Sequence, residues 1–244
     1  MKAVSTVKAW GKAKAVAAGF HLSKGMQPVL TPPPRTTVTL IEEEALSDSY
    51  AYFKDRLSGV SIFSAVQEVH NFLAASILPE LEDGYFLEFG YYTGGSASRL
   101  APALRNRHTN TQYYAFDSFF GLREQWSQSN MFIGAFSLDG VTPPAPEGIT
   151  LVSGWVEETL DPWLLDHPGR IAFAHFDMDL YGPTRYTLER VHKRLTPGSI
   201  LCFDEFHGYH GWREHEFRAL AEVIPESEYT LLALGPHQIV IAIS

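Results

Sequence analysis

The chain has 244 residues, 45% of them apolar and 19% charged, which allows a sizeable buried core and argues against a disordered chain; the length suits one α/β domain. Nineteen Lys and Arg against 28 Asp and Glu leave a net charge of −9, the wrong sign for a protein that wraps a phosphate backbone, so no nucleic acid is expected as partner. Cys202, alone, forms no internal disulfide, and no apolar run approaches the ~20 residues of a membrane span, so a soluble cytoplasmic protein is expected.

Residues 1–27 hold Lys2, Lys8, Lys12, Lys14 and Lys24 and no acid, so this segment carries +5 and the remainder −14. The lysines interrupt its apolar stretch, which makes a poor secretory signal. It reads as a basic arm or lid, with an organellar presequence or a membrane-surface helix as alternatives. Thr31-Pro32-Pro33-Pro34 stops any helix, and the chain divides into an arm over 1–40 and a catalytic domain over 41–244. Ile62, Val66, Val69, Leu73 and Ile77 step by three or four and predict a packing helix leading up to Pro79. Short apolar runs then alternate with amphipathic stretches, the pattern of βα units feeding a parallel sheet. Tyr85–Phe89 is followed by a helix from Ser96 with Ala97, Leu100, Ala101 and Leu104 on one face. Tyr113–Phe116 and Ile149–Val152 come next, then Ile171–Phe176 with a helix near 184–195, and Ser199–Phe203 with a helix near 212–223. Tyr229–Leu234 and Gln238–Ile243 flank Gly235-Pro236-His237 so closely that they must be antiparallel neighbours. Seven strands result.

Ligands of open α/β sheets bind outside the carboxyl ends of the strands, and those positions are acidic. Glu88 lies in the first run, Asp117 follows the second, Asp177 and Asp179 the fourth, Asp204 and Glu205 the fifth. Helix capping accounts for any one acid but poorly for the set, whereas a cation or ligand hydroxyls would compensate them all. The first loop, Glu88-Phe89-Gly90-Tyr91-Tyr92-Thr93-Gly94-Gly95-Ser96, lets backbone approach a ligand. It departs from the dinucleotide fingerprint and lacks a phosphate-loop lysine. Asp117, 29 residues after Glu88, suits the two hydroxyls of a ribose, and together these features suggest a nucleoside-bearing cofactor.

His207, His210 and His215 follow Asp204 closely. Asp204, His207 and His210 could build a two-His-one-carboxylate iron or zinc site for an oxygenase or hydrolase. Alternatively His207, Tyr209, His210 and Trp212 form an acceptor-facing wall with His207 as a base, or a solvent loop. His175 reads as a hydrogen-bonded core histidine. Phe119, Phe120, Trp126 and Trp212 suit a wall for a ring, though core packing accounts for aromatics as well.

The ordered segments Leu87-Glu88-Phe89-Gly90 with Gly94-Gly95-Ser96, Phe116-Asp117-Ser118-Phe119 with Gly121-Leu122, Gly154-Trp155 with Thr159-Leu160, Asp177-Met178-Asp179-Leu180-Tyr181 with Thr184, and Pro197-Gly198 with Phe203-Asp204-Glu205 carry a resemblance. The chain resembles class I S-adenosylmethionine-dependent methyltransferases, and within them the macrocin O-methyltransferase family with its mycinamicin and novobiocin sugar methyltransferases. The resemblance implies a Rossmann-like sheet of order 3-2-1-4-5-7-6 and magnesium-assisted O-methyl transfer to a small-molecule hydroxyl, of a sugar or glycosylated natural product, by a homodimer. It implies that Glu88, Gly90, Thr93 and Ser96 line the methionine part of the cofactor, that Asp117 and Ser118 hold the ribose, that Gly154 and Trp155 flank the adenine, and that Tyr91, Gly94 and Asp177 also bind the cofactor. It further implies Asp177, Asp204 and Glu205 as metal ligands and Asp179 as base. Glu205 stands where the sugar methyltransferases commonly have Asp, and bulky Tyr91 and Tyr92 occupy the first loop. A catalytically silent cofactor-binding protein that engages a partner is the remaining alternative.

Overall fold

The computed structural model describes residues 35–81, 83–104, 112–126, 129 and 131–244; the basic arm and the proline run lie outside the described residues. Thr36–Ser244 form one unit. Its first element, α1 (Thr37–Phe53), starts on a reciprocal cap in which Thr36 and Thr39 side chains each accept from the other's backbone N–H, at 3.2 and 2.8 Å.

A two-residue strand, β1 (Ser61–Ile62), precedes α2 (Val66–Phe72), which continues through a π turn over Leu73–Ile77. Ile62 therefore belongs to the sheet and not to the predicted helix, and it is 64% exposed. The helix starts later because the Glu68 carboxylate accepts from the N–H groups of Ser64 and Ala65, at 2.9 and 3.1 Å, and fixes the first turn there.

The remaining elements are β2 (Tyr85–Phe89), α3 (Ala97–Leu100), β3 (Tyr113–Asp117), β4 (Ile149–Ser153), α4 (Val156–Asp166), β5 (Ile171–Phe176), α5 (Tyr181–Val191), β6 (Ile200–Phe203), α6 (Glu216–Val223), β7 (Tyr229–Leu234) and β8 (Ile239–Ile243). The sheet runs β1-β7-β8-β6-β5-β2-β3-β4. The expected order is present, extended at one edge by β1 lying parallel to β7, so the sheet has eight strands rather than seven. β8 is antiparallel to both β6 and β7, and the other pairs are parallel.

Alternating residues feed two cores. Leu87, Phe89, Phe116, Phe176 and Phe203 pack beneath α4, α5 and α6, while Phe86, Tyr113, Phe173 and Cys202 pack beneath α2 and α3. On that second face, Glu88, His175 and Cys202 are register partners on three adjacent strands. No described helix is long and apolar enough to cross a membrane.

Candidate active site

A cleft of about 640 Å³ opens at the carboxyl ends of β2, β3, β4 and β5. Parallel strands bring their following loops to one edge, so residues far apart in sequence meet there. At the end of β2, Gly90 has φ +97°, and a Cβ there would lie 1.7 Å from the carbonyl oxygen of Asp177, so only glycine lets these two loops meet. Asp117, closing β3, accepts from the backbone N–H of Tyr92 at 2.6 Å through one oxygen and of Phe119 at 2.7 Å through the other. Trp155, entering α4, lies under the Arg123 guanidinium at 3.9 Å and stacks near Phe120 with ring centres 6.2 Å apart.

On the facing side the carboxylates of Asp177, Asp179 and Glu205 converge, one oxygen of each lying within 4.8 Å of the others. Burial, reinforced by the charges of Asp204, Asp179 and Glu88, pushes Asp177 well above the carboxylate range. Glu205 moves the same way, through burial first and then the charges of Asp177, Asp204 and Asp179, and its Oε2 has no hydrogen-bond partner. Asp179, on a left-handed backbone at φ 62°, is raised to about 7 by burial and by Asp204. Behind them Glu216, fully buried at the start of α6, accepts from the Glu205 N–H at 3.1 Å and is raised too, by burial and then by Asp179 and Asp204. Such a set calls for protons or for a cation.

Asp204 turns elsewhere. Its Oδ1 accepts from Gln238 Nε2 at 3.0 Å and lies 3.6 Å from Nε2 of both His70 and His175. Burial would raise its pKa, but His175, His70 and Gln238 outweigh this and hold it below the ordinary value. Burial alone would depress His175, yet Cys202, Asp204 and Glu88 hold it well above its usual range. Glu88 Oε1 accepts from Ser96 Oγ and lies 3.2 Å from His175 Nδ1, so His175 is the buried, bonded core histidine expected.

Of the residues singled out by sequence, Gly90, Asp117, Ser118, Gly154, Trp155, Asp177, Asp179 and Glu205 line the cleft. Glu88, Tyr91, Thr93, Gly94, Ser96, Asp204 and His207 are not among its lining. Tyr91 is buried, and Gly94 makes room for its ring, which a Cβ would approach to 2.4 Å. His207 packs edge-on against Phe53 of α1 at 4.9 Å, and desolvation lowers its pKa to about 4. Among the described residues, His207 and His210 join no convergent ligand group, so the iron or zinc set with Asp204 is not assembled. Trp126 lines the cleft, whereas Trp212 is 2% exposed and its Nε1 donates to Asp48. His70, Gln238 and Glu216 escaped the sequence reading, because each falls in a stretch read for its apolar helical or strand pattern and none directly follows the end of a predicted strand.

Residues 87–206, the span holding these strand ends, match a family described as "Methyltransferase domain". This segment is a methyltransferase domain. Over 149 residues the chain is 26% identical to 8-demethyl-8-(2,3-dimethoxy-alpha-L-rhamnosyl)-tetracenomycin-C 4'-O-methyltransferase of Streptomyces olivaceus, covering 54% of this chain and 56% of that protein. The chain thus aligns with about half the length of that curated relative. Among solved structures, CalS11, calicheamicin methyltransferase, superposes with a TM-score of 0.57 at 22% identity over 87% of each chain. An apo structure of CalS11, TDP-rhamnose 3'-O-methyltransferase, gives 0.54 at 23% identity over 88% of this chain and 96% of that one. These likenesses show that the methyltransferase domain has the Rossmann-like class I fold.

Proposed function

We propose that this chain is an S-adenosylmethionine-dependent O-methyltransferase acting on a sugar hydroxyl of a glycosylated small molecule, assisted by magnesium or another oxygen-preferring divalent ion. The observation that carries this reading is the convergence of Asp177, Asp179 and Glu205 on a cleft whose other wall holds Asp117, Ser118, Gly154 and Trp155. When bound, the cofactor supplies a sulfonium methyl group for in-line displacement. Each Asp117 oxygen accepts a single N–H and keeps a lone pair for a ribose hydroxyl. Gly90 lets backbone approach the methionine part, and Trp155 flanks the adenine.

The unpartnered Oε2 of Glu205 and the raised carboxyl of Asp177 fit a hard cation, which would lower the acceptor hydroxyl's pKa and fix its position. Asp177 and Glu205 are its ligands. Asp179 takes the acceptor's proton, a role suited to a carboxyl that titrates at about 7. Asp204, held by Gln238, serves the layer behind rather than the cation. The sugar acceptor is supported by the rhamnosyl substrates in the names of the tetracenomycin enzyme and CalS11. A homodimer is proposed on the family resemblance, and a cytoplasmic location on the single cysteine and the composition.

The test is a thermal-shift titration with S-adenosylmethionine, followed by mass spectrometry of rhamnosylated acceptors with and without magnesium. A raised midpoint is expected, because a ligand bound only by the folded state stabilises it. Asp117→Ala should weaken cofactor binding about 10- to 100-fold through lost hydrogen bonds to a charged group. A folded protein with no shift at saturating cofactor would refute the reading.

A further inference from the structure

We infer that the chain carries a second, buried metal site of transition-metal type, built from His70 Nε2, His175 Nε2 and a carboxylate oxygen of Asp204. His70 comes from α2, His175 from β5 and Asp204 from the end of β6, and one ligand atom of each lies within 4.8 Å of the others. Both imidazole Nε2 atoms are 3.6 Å from the same Asp204 oxygen. That is longer than the ~2.7–3.2 Å of a hydrogen bond. It is close to the roughly 3.3 Å that separates two donors bound to one tetrahedral zinc.

The side chains of His70 and His175 are 5% and 0% exposed, yet both ring nitrogens of His70 and Nε2 of His175 lack hydrogen-bond partners. Leaving three such nitrogens unsatisfied is costly, and one ion among them removes most of that cost. Glu88 Oε1, 3.2 Å from His175 Nδ1, accepts the proton of that atom, so an ion that displaces the Nε2 proton meets a lone pair facing Asp204. A carboxylate behind a ligating histidine is the usual support of a metal-bound imidazole. Gln238 orients the Asp204 carboxylate from another side.

Two imidazoles with one carboxylate select zinc, cobalt or iron(II) over magnesium, which prefers oxygen donors. The ion ties α2 to the middle of the sheet and holds Asp204 back from the cleft acids. Its ligand set is separate from that of Asp177, Asp179 and Glu205, although Asp204 adjoins Glu205 in the chain, and the site does not depend on the methyl-transfer reading.

Cobalt(II) is the probe. The full-length chain, stripped with a chelator, is titrated while the visible absorption of low-coordinate cobalt and the thermal midpoint are followed. About one equivalent should bind, raise the midpoint and be displaced by zinc. His70→Gln should abolish the band, Glu88→Gln should weaken affinity about 10- to 100-fold, and Asp177→Asn should leave both unchanged. In the wild type, cobalt-shifted imidazole N–H resonances from two histidines report ligation without any variant. A folded wild type that binds neither cobalt nor zinc stoichiometrically, or shows no shifted imidazole resonances, overturns the site. So does binding that survives His70→Gln and is lost in Asp177→Asn, which would place the ion among the cleft acids.

Discussion

Asp179 combines a left-handed backbone, uncommon for a residue with a side chain, with a carboxyl raised to about 7 by burial and by Asp204. Its folded pKa exceeds its ordinary value of 3.8, so the folded protein holds an extra proton between the two values. Stability therefore falls as pH rises through that window and stays low above it. Asp177, Glu205 and Glu216 shift in the same direction and add to the trend. His207 opposes it, losing stability as pH falls toward about 4, so the informative quantity is the magnesium-dependent difference. We expect magnesium to raise the thermal midpoint clearly at about pH 8 and little at about pH 5, because only ionised acids attract it. Equal effects at both pH values would remove the cation from these acids. The acids were legible because each ends an apolar run. Their division was not, since what turns Asp204 away is Gln238, with His70 and His175 beside it, side chains from three separate segments that only the fold brings together.

Helix α1 is fastened to the segment after β6 by a few bonds. Asp48 accepts from Arg213 Nε and Nη2 at 2.8 and 2.9 Å and from Trp212 Nε1 at 3.1 Å, and Ser49 Oγ accepts from the Gly208 N–H at 2.9 Å. The Asp48 side chain is 44% exposed, so its ion pair is screened and contributes little. The larger loss in Asp48→Ala is the indole N–H left without a partner. Urea denaturation should show a loss of about 1–2 kcal/mol, with cofactor affinity unchanged because Asp48 is not among the cleft-lining residues. Unaltered stability would show that α1 is held by packing alone. This helix was invisible in the sequence because Val38, Leu40, Ile41, Leu46 and Tyr50 face outward, leaving little apolar periodicity to read. Strand β1 was hidden for the opposite reason: two residues carry no period, and Ile62 falls in phase with the helix that follows. The longer strands were legible because each is a short apolar run bounded by turn residues, and the final pair is too close to be anything but a hairpin, whereas their order rested on the family resemblance.

At the scale of the whole molecule, part of the −14 carried beyond the basic arm lies where the proposed acceptor would enter. Asp117, Glu124, Glu157, Asp177, Asp179 and Glu205 line the cleft, and among its described lining residues Arg123 is the one Lys or Arg, already paired with Glu157 at 3.3 Å. Such a field disfavours an acceptor bearing a diphosphate and tolerates a neutral glycoside. With a nucleotide-linked sugar, kcat/KM should be the lower and should rise with ionic strength as repulsion is screened; with a neutral rhamnoside it should stay flat. A salt-independent preference for the nucleotide sugar would contradict this. The bare backbone contact between Gly90 and Asp177 bears on timing as well as on shape. With no side chain between them to absorb a displacement, a shift imposed on one loop passes directly to the other. We therefore expect occupancy of the Gly90 loop by the proposed methyl donor to fix the Asp177 loop before the second reactant arrives, and product-inhibition kinetics showing random addition would contradict this.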